Sequence, residues 1–123
     1  MKFAIYFGEP EMRDLWLDLS SKHRDETLDG SEAKLFKRLI KTLALLENNP
    51  LHNSLQSHEI EPLSKRFGRK VFQSYLENNT PGAGRLFWCY GPTRGAITII
   101  GIDSHPEDRK SKGYDRIRLS SIN

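Results

Sequence analysis

Long apolar runs and paired cysteines are both missing from this chain of 123 residues. Its one cysteine, Cys89, lies inside an aromatic stretch, so an internal disulfide cannot form and a reducing compartment is expected. No apolar segment approaches the length of a membrane helix, and the Met1-Lys2 start is not followed by the apolar core of a signal peptide. These absences predict a soluble cytoplasmic protein without a membrane partner.

Common catalytic and cofactor-binding motifs are absent as well. The chain has no Gly-x-Ser-x-Gly sequence, and Gly82-Ala83-Gly84 lacks the following helix and lysine of a phosphate-binding loop. Acidic residues and a histidine come close together in one stretch that a proline interrupts: Asp103, His105, Glu107 and Asp108. This stretch has no cysteine pair or helical histidine spacing beside it, so the sequence predicts neither a metal site nor a cofactor.

What the chain does contain suffices for one compact domain over residues 1–123, since 37% of its residues are hydrophobic and 28% are charged. Its net charge of +3 is unevenly distributed. Residues 1–60 carry eight Lys and Arg against ten Asp and Glu, whereas residues 61–123 carry eleven against six. This bias favours a polyanionic partner such as nucleic acid, although proteins that bind none also show biases of this size.

Periodicity predicts a strand and two helices in the first half. Apolar and polar residues alternate over 2–7, which is typical of a half-buried strand. Apolar residues then recur at helical spacing over 10–27 and again over 31–48, where Ser31 is the expected N-cap and Pro50 follows the end. We expect the two helices to form a hairpin packed on a sheet.

The second half is predicted to be a meander of strands. Three segments have the pattern of strands: 69–76, 85–90 and 96–102. Residues 51–67 show no clean period and are predicted to be irregular, and the chain from Tyr114 onward fits either an edge strand or one helical turn. This order of elements along the chain predicts an α+β fold with an N-terminal strand, a two-helix hairpin and an antiparallel sheet of three to four strands. The helices are expected to cover one face of the sheet and to leave the other face open.

Polar residues of the second half permit acid–base chemistry on a phosphate. Arg85 begins one strand and His105 follows the next, so an arginine and a histidine can meet beside an apolar platform. Cleavage of RNA by its own 2′-hydroxyl needs a base, an acid and a cation near the developing charge, and no metal. The candidates are Glu61, Arg85, His105 and Tyr114. Each also has an ordinary structural interpretation, such as a loop carboxylate or a turn histidine.

These residues and their order resemble the RelE/ParE superfamily of bacterial toxins. The matching pieces are Leu46-Glu47-Asn48-Asn49-Pro50, Glu61-Pro62-Leu63, Arg85-Leu86-Phe87-Trp88, the apolar strand 97–102, His105 and Tyr114. The Glu-Pro-Leu sequence and the later histidine are similar to the YoeB-like branch, whose members resemble microbial ribonucleases and cut messenger RNA on the ribosome.

The resemblance implies a RelE-like, microbial-ribonuclease-like fold and the toxin of a type II toxin–antitoxin system. It implies an endoribonuclease with no cofactor, whose partners are a cognate antitoxin, the ribosome and mRNA. Glu61 would be the general base, Arg85 would stabilise the phosphate, and His105 or Tyr114 would be the acid or a base-stacking group. The RNA-binding residues are expected among the cations of the second half: Lys65, Arg66, Arg69, Lys70, Arg94, Arg109, Lys110, Lys112, Arg116 and Arg118.

Two alternatives belong to other functional classes. A ParE-like or divergent member would act without catalysis by binding a protein such as a topoisomerase, and an RNA-binding module would have no chemistry. Departures from the family pattern, including the nine residues between His105 and Tyr114, are compatible with a relative that does not cleave. A general base positioned opposite Arg85 would distinguish the nuclease from these two alternatives, since a protein that only binds its target does not need a general base.

Overall fold

The computed structural model describes residues 2–76, 84–103, 114 and 117–122. The elements in chain order are β1 (Ala4–Phe7), α1 (Glu11–Arg24), α2 (Gly30–Asn48), a 3₁₀ helix (Asn53–Leu55), β2 (His58–Glu59), α3 (Glu61–Phe67), β3 (Phe72–Tyr75), β4 (Arg85–Tyr90) and β5 (Ala96–Asp103). Within the described residues the chain is therefore α+β, with three α-helices and one five-stranded mixed sheet, as the predicted fold class requires.

The strands follow the order β1-β5-β4-β3-β2. The antiparallel meander of β3, β4 and β5 is confirmed, and β2 adds two residue pairs to its edge. β1 pairs parallel with β5, so the whole sheet is mixed and has five strands, of which the four after the helix hairpin are antiparallel. The alternating pattern of β1 shows that it is a strand but carries no information on direction; the long crossover between β1 and β5 permits the parallel pairing.

α1 and α2 cover one face of the sheet, which we call the helix face. Apolar side chains of both helices pack there on those of β4 and β5, in a cluster that includes Leu19, Leu39, Leu46, Leu86, Trp88, Ile97 and Ile99. Trp88 is fully buried, and its indole Nε1 donates a hydrogen bond to Ser74 Oγ at 2.8 Å. The predicted packing of two amphipathic helices on a sheet is confirmed.

The helices are of moderate length. α1 has 14 residues and α2 has 19, and each buries apolar side chains while its remaining positions are largely polar. Within the described ranges, no helix combines the length and the apolar character that crossing a membrane requires.

α2 begins with a capping box at Asp29. The Asp29 carboxylate accepts from Glu32 N at 2.8 Å, and the Glu32 carboxylate accepts from Asp29 N at 3.1 Å. The Glu32 backbone N–H, followed by the Ser31 hydroxyl, holds the pKa of Asp29 below its ordinary value. The prediction of Ser31 as N-cap is wrong by two residues, because an acid three residues before Glu32 can make both reciprocal bonds.

Residues 51–67 are not irregular as predicted, since they contain a 3₁₀ helix, β2 and α3. Ile60 and Leu63 are buried at the start of α3, and Pro62 lies in its first turn, where a missing N–H costs nothing. Gly68 ends α3 in the left-handed conformation, with a φ of 90°. A helix of seven residues is too short to show a clean apolar period in the sequence.

The second face of the sheet is not open, contrary to the prediction. α3 and the C-terminal segment 117–122 cover it and bury a second cluster comprising Ile60, Leu63, Val71, Phe87, Cys89, Ile100 and Ile117. Gly101 permits the close approach of this segment, since a Cβ there would lie 3.0 Å from the carbonyl of Arg118. Within segment 117–122, Ser121 forms an isolated bridge with Glu9, while residues 115 and 116 of the stretch predicted to be an edge strand or a helical turn lie outside the described residues.

The C-terminal segment also caps α1. Pro10 stands at the N-cap position of α1 and offers no side-chain acceptor. Met12 N instead donates to Ser120 Oγ at 3.1 Å, and the Ser120 hydroxyl donates to Glu11 Oε2 at 3.1 Å. Ser120 therefore links the end of the chain to the first helix.

Replacing Ser120 with alanine is expected to lower the free energy of unfolding by about 1–2 kcal/mol, because the buried Met12 N–H loses its acceptor. Urea unfolding measures the change. The matched control is Ser121→Ala, whose side chain is exposed and is expected to matter little. Equal losses of unfolding free energy in Ser120→Ala and Ser121→Ala would contradict a capping role for Ser120.

Candidate functional site

A β-bulge in β5 determines which side chains meet at one end of the sheet. The backbone pairs on either side of it are Trp88 with Ile99 and Phe87 with Gly101. Ile100 is therefore an extra residue, and it reverses the alternation of faces beyond it. Without the bulge, residue 103 would share the helix face with Ile99. With it, Asp103 pairs with Arg85 on the second face.

Arg85 and Asp103 form an ion pair in which Arg85 Nη2 donates to Asp103 Oδ2. The Asp103 side chain is 3% exposed, whereas that of Arg85 keeps 18% of its surface exposed. Arg85 Nε is buried and finds no hydrogen-bond acceptor within the described part of the chain. Because the two residues are cross-strand partners, the strands hold the guanidinium in a defined orientation at the rim of the sheet.

Two aromatic rings flank the Arg85 guanidinium. Its central carbon lies 5.2 Å from the centroid of the Tyr114 ring and 5.9 Å from that of Phe87, within the range of cation–π contacts. The Tyr114 hydroxyl donates to Gln73 Oε1 at 3.2 Å. Two of the four predicted catalytic residues, Arg85 and Tyr114, are thus in contact. We call this group the Arg85 cluster: Gln73, Arg85, Phe87, Asp103 and Tyr114.

Arg66 holds the backbone beside the cluster. Its guanidinium donates to the carbonyls of Tyr114, at 3.4 Å, and of Ile117. Arg66 is also one of the residues predicted to bind RNA, and in the structure these contacts attach the C-terminal segment to the second face. Tyr114 is therefore positioned by both its hydroxyl and its backbone.

Glu61, the predicted general base, pairs with Lys65, and the described ion pairs do not join it to Arg85. It is the first residue of α3, its side chain is 74% exposed, and its Oε1 lies 3.4 Å from Lys65 Nζ. An exposed ion pair at this spacing contributes little to stability. The carboxylate opposite Arg85 is that of Asp103, which the bulge places there and which the sequence pattern did not single out for this position.

Some of the other predicted site residues are described by the structure, and the rest lie outside the described residues. Lys65, Lys70, Arg94 and Arg118 are exposed, and Arg69 donates to the carbonyl of Tyr90 at 3.1 Å. Five predictions fall outside the described residues: His105, Arg109, Lys110, Lys112 and Arg116. The described cations lie on α3, in the segments around β3 and β4, and on the C-terminal segment.

Cys89 is buried, as predicted. It is 0% exposed, and burial raises the pKa of the thiol, an effect that the nearby Arg69 guanidinium only partly opposes. Because the thiolate is the nucleophilic form, this environment disfavours thiol chemistry at Cys89.

The geometry of a metal site is not found in the ranges 2–76, 84–103, 114 and 117–122, where no three His, Cys, Asp or Glu side chains are grouped. Of the four residues considered from the sequence, Asp103 is paired with Arg85. The other three, His105, Glu107 and Asp108, lie outside those ranges.

Sequence analysis missed a basic groove of about 560 Å³ along α2. Four cations on one side of α2 line it: Lys34, Lys37, Arg38 and Lys41. Their three- and four-residue spacing was the available signal, since residues so spaced are neighbours on a helix surface. The signal was hidden because the charge of residues 1–60, taken as a whole, is negative.

The chain matches no family model, and comparisons with curated proteins and with solved structures give no match.

Proposed function

We propose that this protein is a RelE/ParE-like toxin of a type II toxin–antitoxin system that cleaves mRNA on the ribosome. The observation that carries the proposal is the contact of Arg85 with Tyr114 at the rim of the sheet, with Asp103 orienting the guanidinium. A cation beside an aromatic ring suits a phosphate and the base attached to it. The order of a strand, two helices and an antiparallel meander supports the RelE-like arrangement.

In the proposed reaction, the 2′-hydroxyl of one nucleotide attacks the adjacent phosphorus. The bond between phosphorus and the 5′-oxygen breaks, which leaves a 2′,3′-cyclic phosphate and a 5′-hydroxyl. Arg85 stabilises the negative charge that develops on the phosphate oxygens. Glu61 is the general base proposed to take the 2′-hydroxyl proton, and His105 or Tyr114 is the acid proposed to protonate the leaving oxygen.

An antitoxin would neutralise this activity by covering the Arg85 cluster. α3 and segment 117–122 already cover the second face of the sheet, so the inhibitory contact belongs at the rim, where part of Arg85 is exposed. The partners in this proposal are therefore the cognate antitoxin, the ribosome and mRNA.

A second function, binding without catalysis, is favoured by the positions of the carboxylates. Asp103 is the one carboxylate in the described residues that pairs with Arg85, while Glu61 pairs with Lys65 at the surface. A protein that binds a topoisomerase-like target or RNA needs no base at the cluster. This function becomes the better account if the protein is harmful to cells but leaves RNA intact.

Induction of the protein alone in bacteria, followed by mapping of transcript ends, tests the proposed function. We expect growth arrest and new 5′-hydroxyl ends that disappear when translation initiation is blocked. The control is the Arg85→Lys variant, which is expected to accumulate equally and to produce few such ends. Growth arrest with intact transcripts would favour the binding function, and normal growth with abundant folded protein would contradict the toxin proposal.

A further inference from the structure

We propose that the protein forms a symmetric dimer in which β1 of one copy pairs antiparallel with β1 of a second copy and joins the two sheets. The contact surface is the outer edge of β1, which is the side that faces away from β5. Three features of the described residues carry the proposal: the open backbone groups of this edge, the apolar side chains beside it and the match of both under a two-fold axis. The dimer does not depend on nuclease activity.

The backbone in the middle of β1 has hydrogen-bonding groups that point away from the sheet. Ala4 N–H and Gly8 N–H donate to carbonyls on the β5 side, at 2.9 Å and 2.8 Å, so the even-numbered residues face β5. Successive residues of a strand direct their backbone groups to opposite sides, so those of Ile5 and Phe7 point outward. β1 is an edge strand, and these outward groups have no backbone partner within the described part of the chain.

The two ends of this edge are closed by other parts of the chain. Phe3 N–H donates to the carbonyl of Glu47 at 2.8 Å, near the end of α2. Glu9 exchanges two backbone hydrogen bonds with Ser121 of the C-terminal segment. The open part of the edge is therefore short and is centred on Tyr6. Strand twist lets the ends of two such edges diverge while their centres pair.

β1 lacks the features that usually protect an edge strand. The sequence of Ala4–Phe7 contains neither a charged residue nor a proline, and its register with β5 is continuous. β2, at the opposite edge of the sheet, has only two residues, His58 and Glu59, and both are exposed. Short charged edges discourage pairing, whereas an uncharged edge is a template for a further strand. β1 is therefore the edge at which the sheet can be extended.

A groove of about 390 Å³ follows the outer edge of β1. On the helix face, Arg13, Trp16 and Leu17 of α1 line it, and Pro92 lies among its other lining residues. Leu17 is 53% exposed. Tyr6 also lines the groove and is 49% exposed; it points to the second face, because its neighbours in β1 pack on the helix face. A strand added to this edge would thus meet apolar side chains on both of its faces.

A two-fold axis through the middle of the edge matches it with itself. With Tyr6 opposite the partner's Tyr6, Ile5 of each copy lies opposite Phe7 of the other and exchanges two hydrogen bonds with it. All the outward groups of Ile5 and Phe7 are then paired. The axis is perpendicular to the joined sheet, so both α1 helices lie on the same side of it. The exposed Leu17 of each copy is thereby placed at the contact.

The charges at the two ends of β1 favour the same pairing. Lys2 precedes the strand, whereas residues 9–14 contain three acids and one base. Antiparallel pairing brings the cation of each copy toward the acidic end of the other. An extended segment of another protein is the competing occupant. The second copy is favoured because it supplies the backbone register, the apolar side chains and the opposite charges without a further partner.

Sedimentation equilibrium of the full chain tests the dimer. The mass is expected to rise with concentration from 14.2 kDa toward twice that value. Tyr6→Lys places like charges opposite each other at the axis, and so does Tyr6→Asp, so each is expected to raise the dissociation constant about tenfold. A mixture of the two variants should dimerise again. The matched control is Ile40→Lys, which changes a residue that is 44% exposed outside the groove and should leave the dimer unchanged.

Cysteine substitutions test the register of the pairing. Directly opposite residues without hydrogen bonds have Cα atoms about 4.5 Å apart, so Tyr6→Cys is expected to form a disulfide between copies under mild oxidation. Ala4→Cys is the matched control, since Ala4 is exposed on the same face of β1. The pairing separates the two Ala4 positions by about 14 Å along the strands, so this variant should stay reduced. Cys89 is buried and leaves the parent chain as the background.

A protein that stays monomeric at every concentration would overturn the proposal and leave the groove to an extended segment of another protein. A dimer that Ile40→Lys weakens as much as Tyr6→Lys, or that crosslinks equally through both cysteines, would also contradict it. Far-ultraviolet circular dichroism establishes that each variant is folded before its mass is measured. Because neither measurement uses RNA, failure of the dimer and failure of the proposed nuclease are distinguishable.

Discussion

Alanine at Arg85 is expected to lower the free energy of unfolding by about 3–5 kcal/mol, a large part of the stability of a small domain. The reason is the partner that the substitution leaves behind. Asp103 is 3% exposed, and without Arg85 this buried carboxylate loses the ion pair that the structure shows. Urea unfolding followed by tryptophan fluorescence measures the loss, since Trp88 lies on a neighbouring part of the same strand.

A double variant separates the ion pair from simple loss of packing. Arg85→Met with Asp103→Leu replaces the pair by apolar side chains of similar size, so no buried charge is left alone, and most of the stability is expected to return. The single variant Asp103→Leu removes the other partner. Its free energy of unfolding is expected to lie between those of Arg85→Ala and of the double variant. An Arg85→Ala protein within about 0.5 kcal/mol of the parent would show that the pair is not buried as described.

Lysine at Arg85 is expected to lower the rate of RNA cleavage about hundredfold while the protein remains folded. A lysine keeps a positive charge beside Asp103, so the stability penalty of alanine is avoided. Its single nitrogen cannot pair with Asp103 and bind a phosphate in the forked geometry of a guanidinium. The measurement is the initial rate of cleavage at a high concentration of minimal single-stranded RNA in EDTA, which the metal-independent chemistry tolerates.

The matched control for this rate is Arg24→Lys, an equivalent change on the exposed end of α1. Its rate is expected to equal that of the parent. A parental rate in a folded Arg85→Lys protein would remove Arg85 from the transition state and leave the binding function as the better account. Cleavage that depends strictly on added divalent ion would instead contradict the 2′-hydroxyl mechanism without metal.

Local periodicity was sufficient for most of the secondary structure. α1 and α2 were predictable because apolar residues repeat along one side of each helix, and β1 because its residues alternate. The apolar run at 96–102 was sufficient to predict β5 as a strand. Cys89 was predictable as a buried residue because it lies in an aromatic strand. Each of these features depends on neighbours within a few positions, so a single sequence contains the information.

Features that join distant residues required the tertiary structure. The parallel direction of β1, the cover on the second face and the cap from Ser120 each depend on contacts between segments far apart in the chain. The partner of Arg85 depends on one extra residue in β5, since a bulge exchanges the faces of every later side chain. The sequence by itself determined α1, α2, the strands β1, β3, β4 and β5, and the presence of Arg85 at the start of β4. Only the tertiary structure decided that Asp103 pairs with Arg85, because register and packing, not local pattern, bring side chains together.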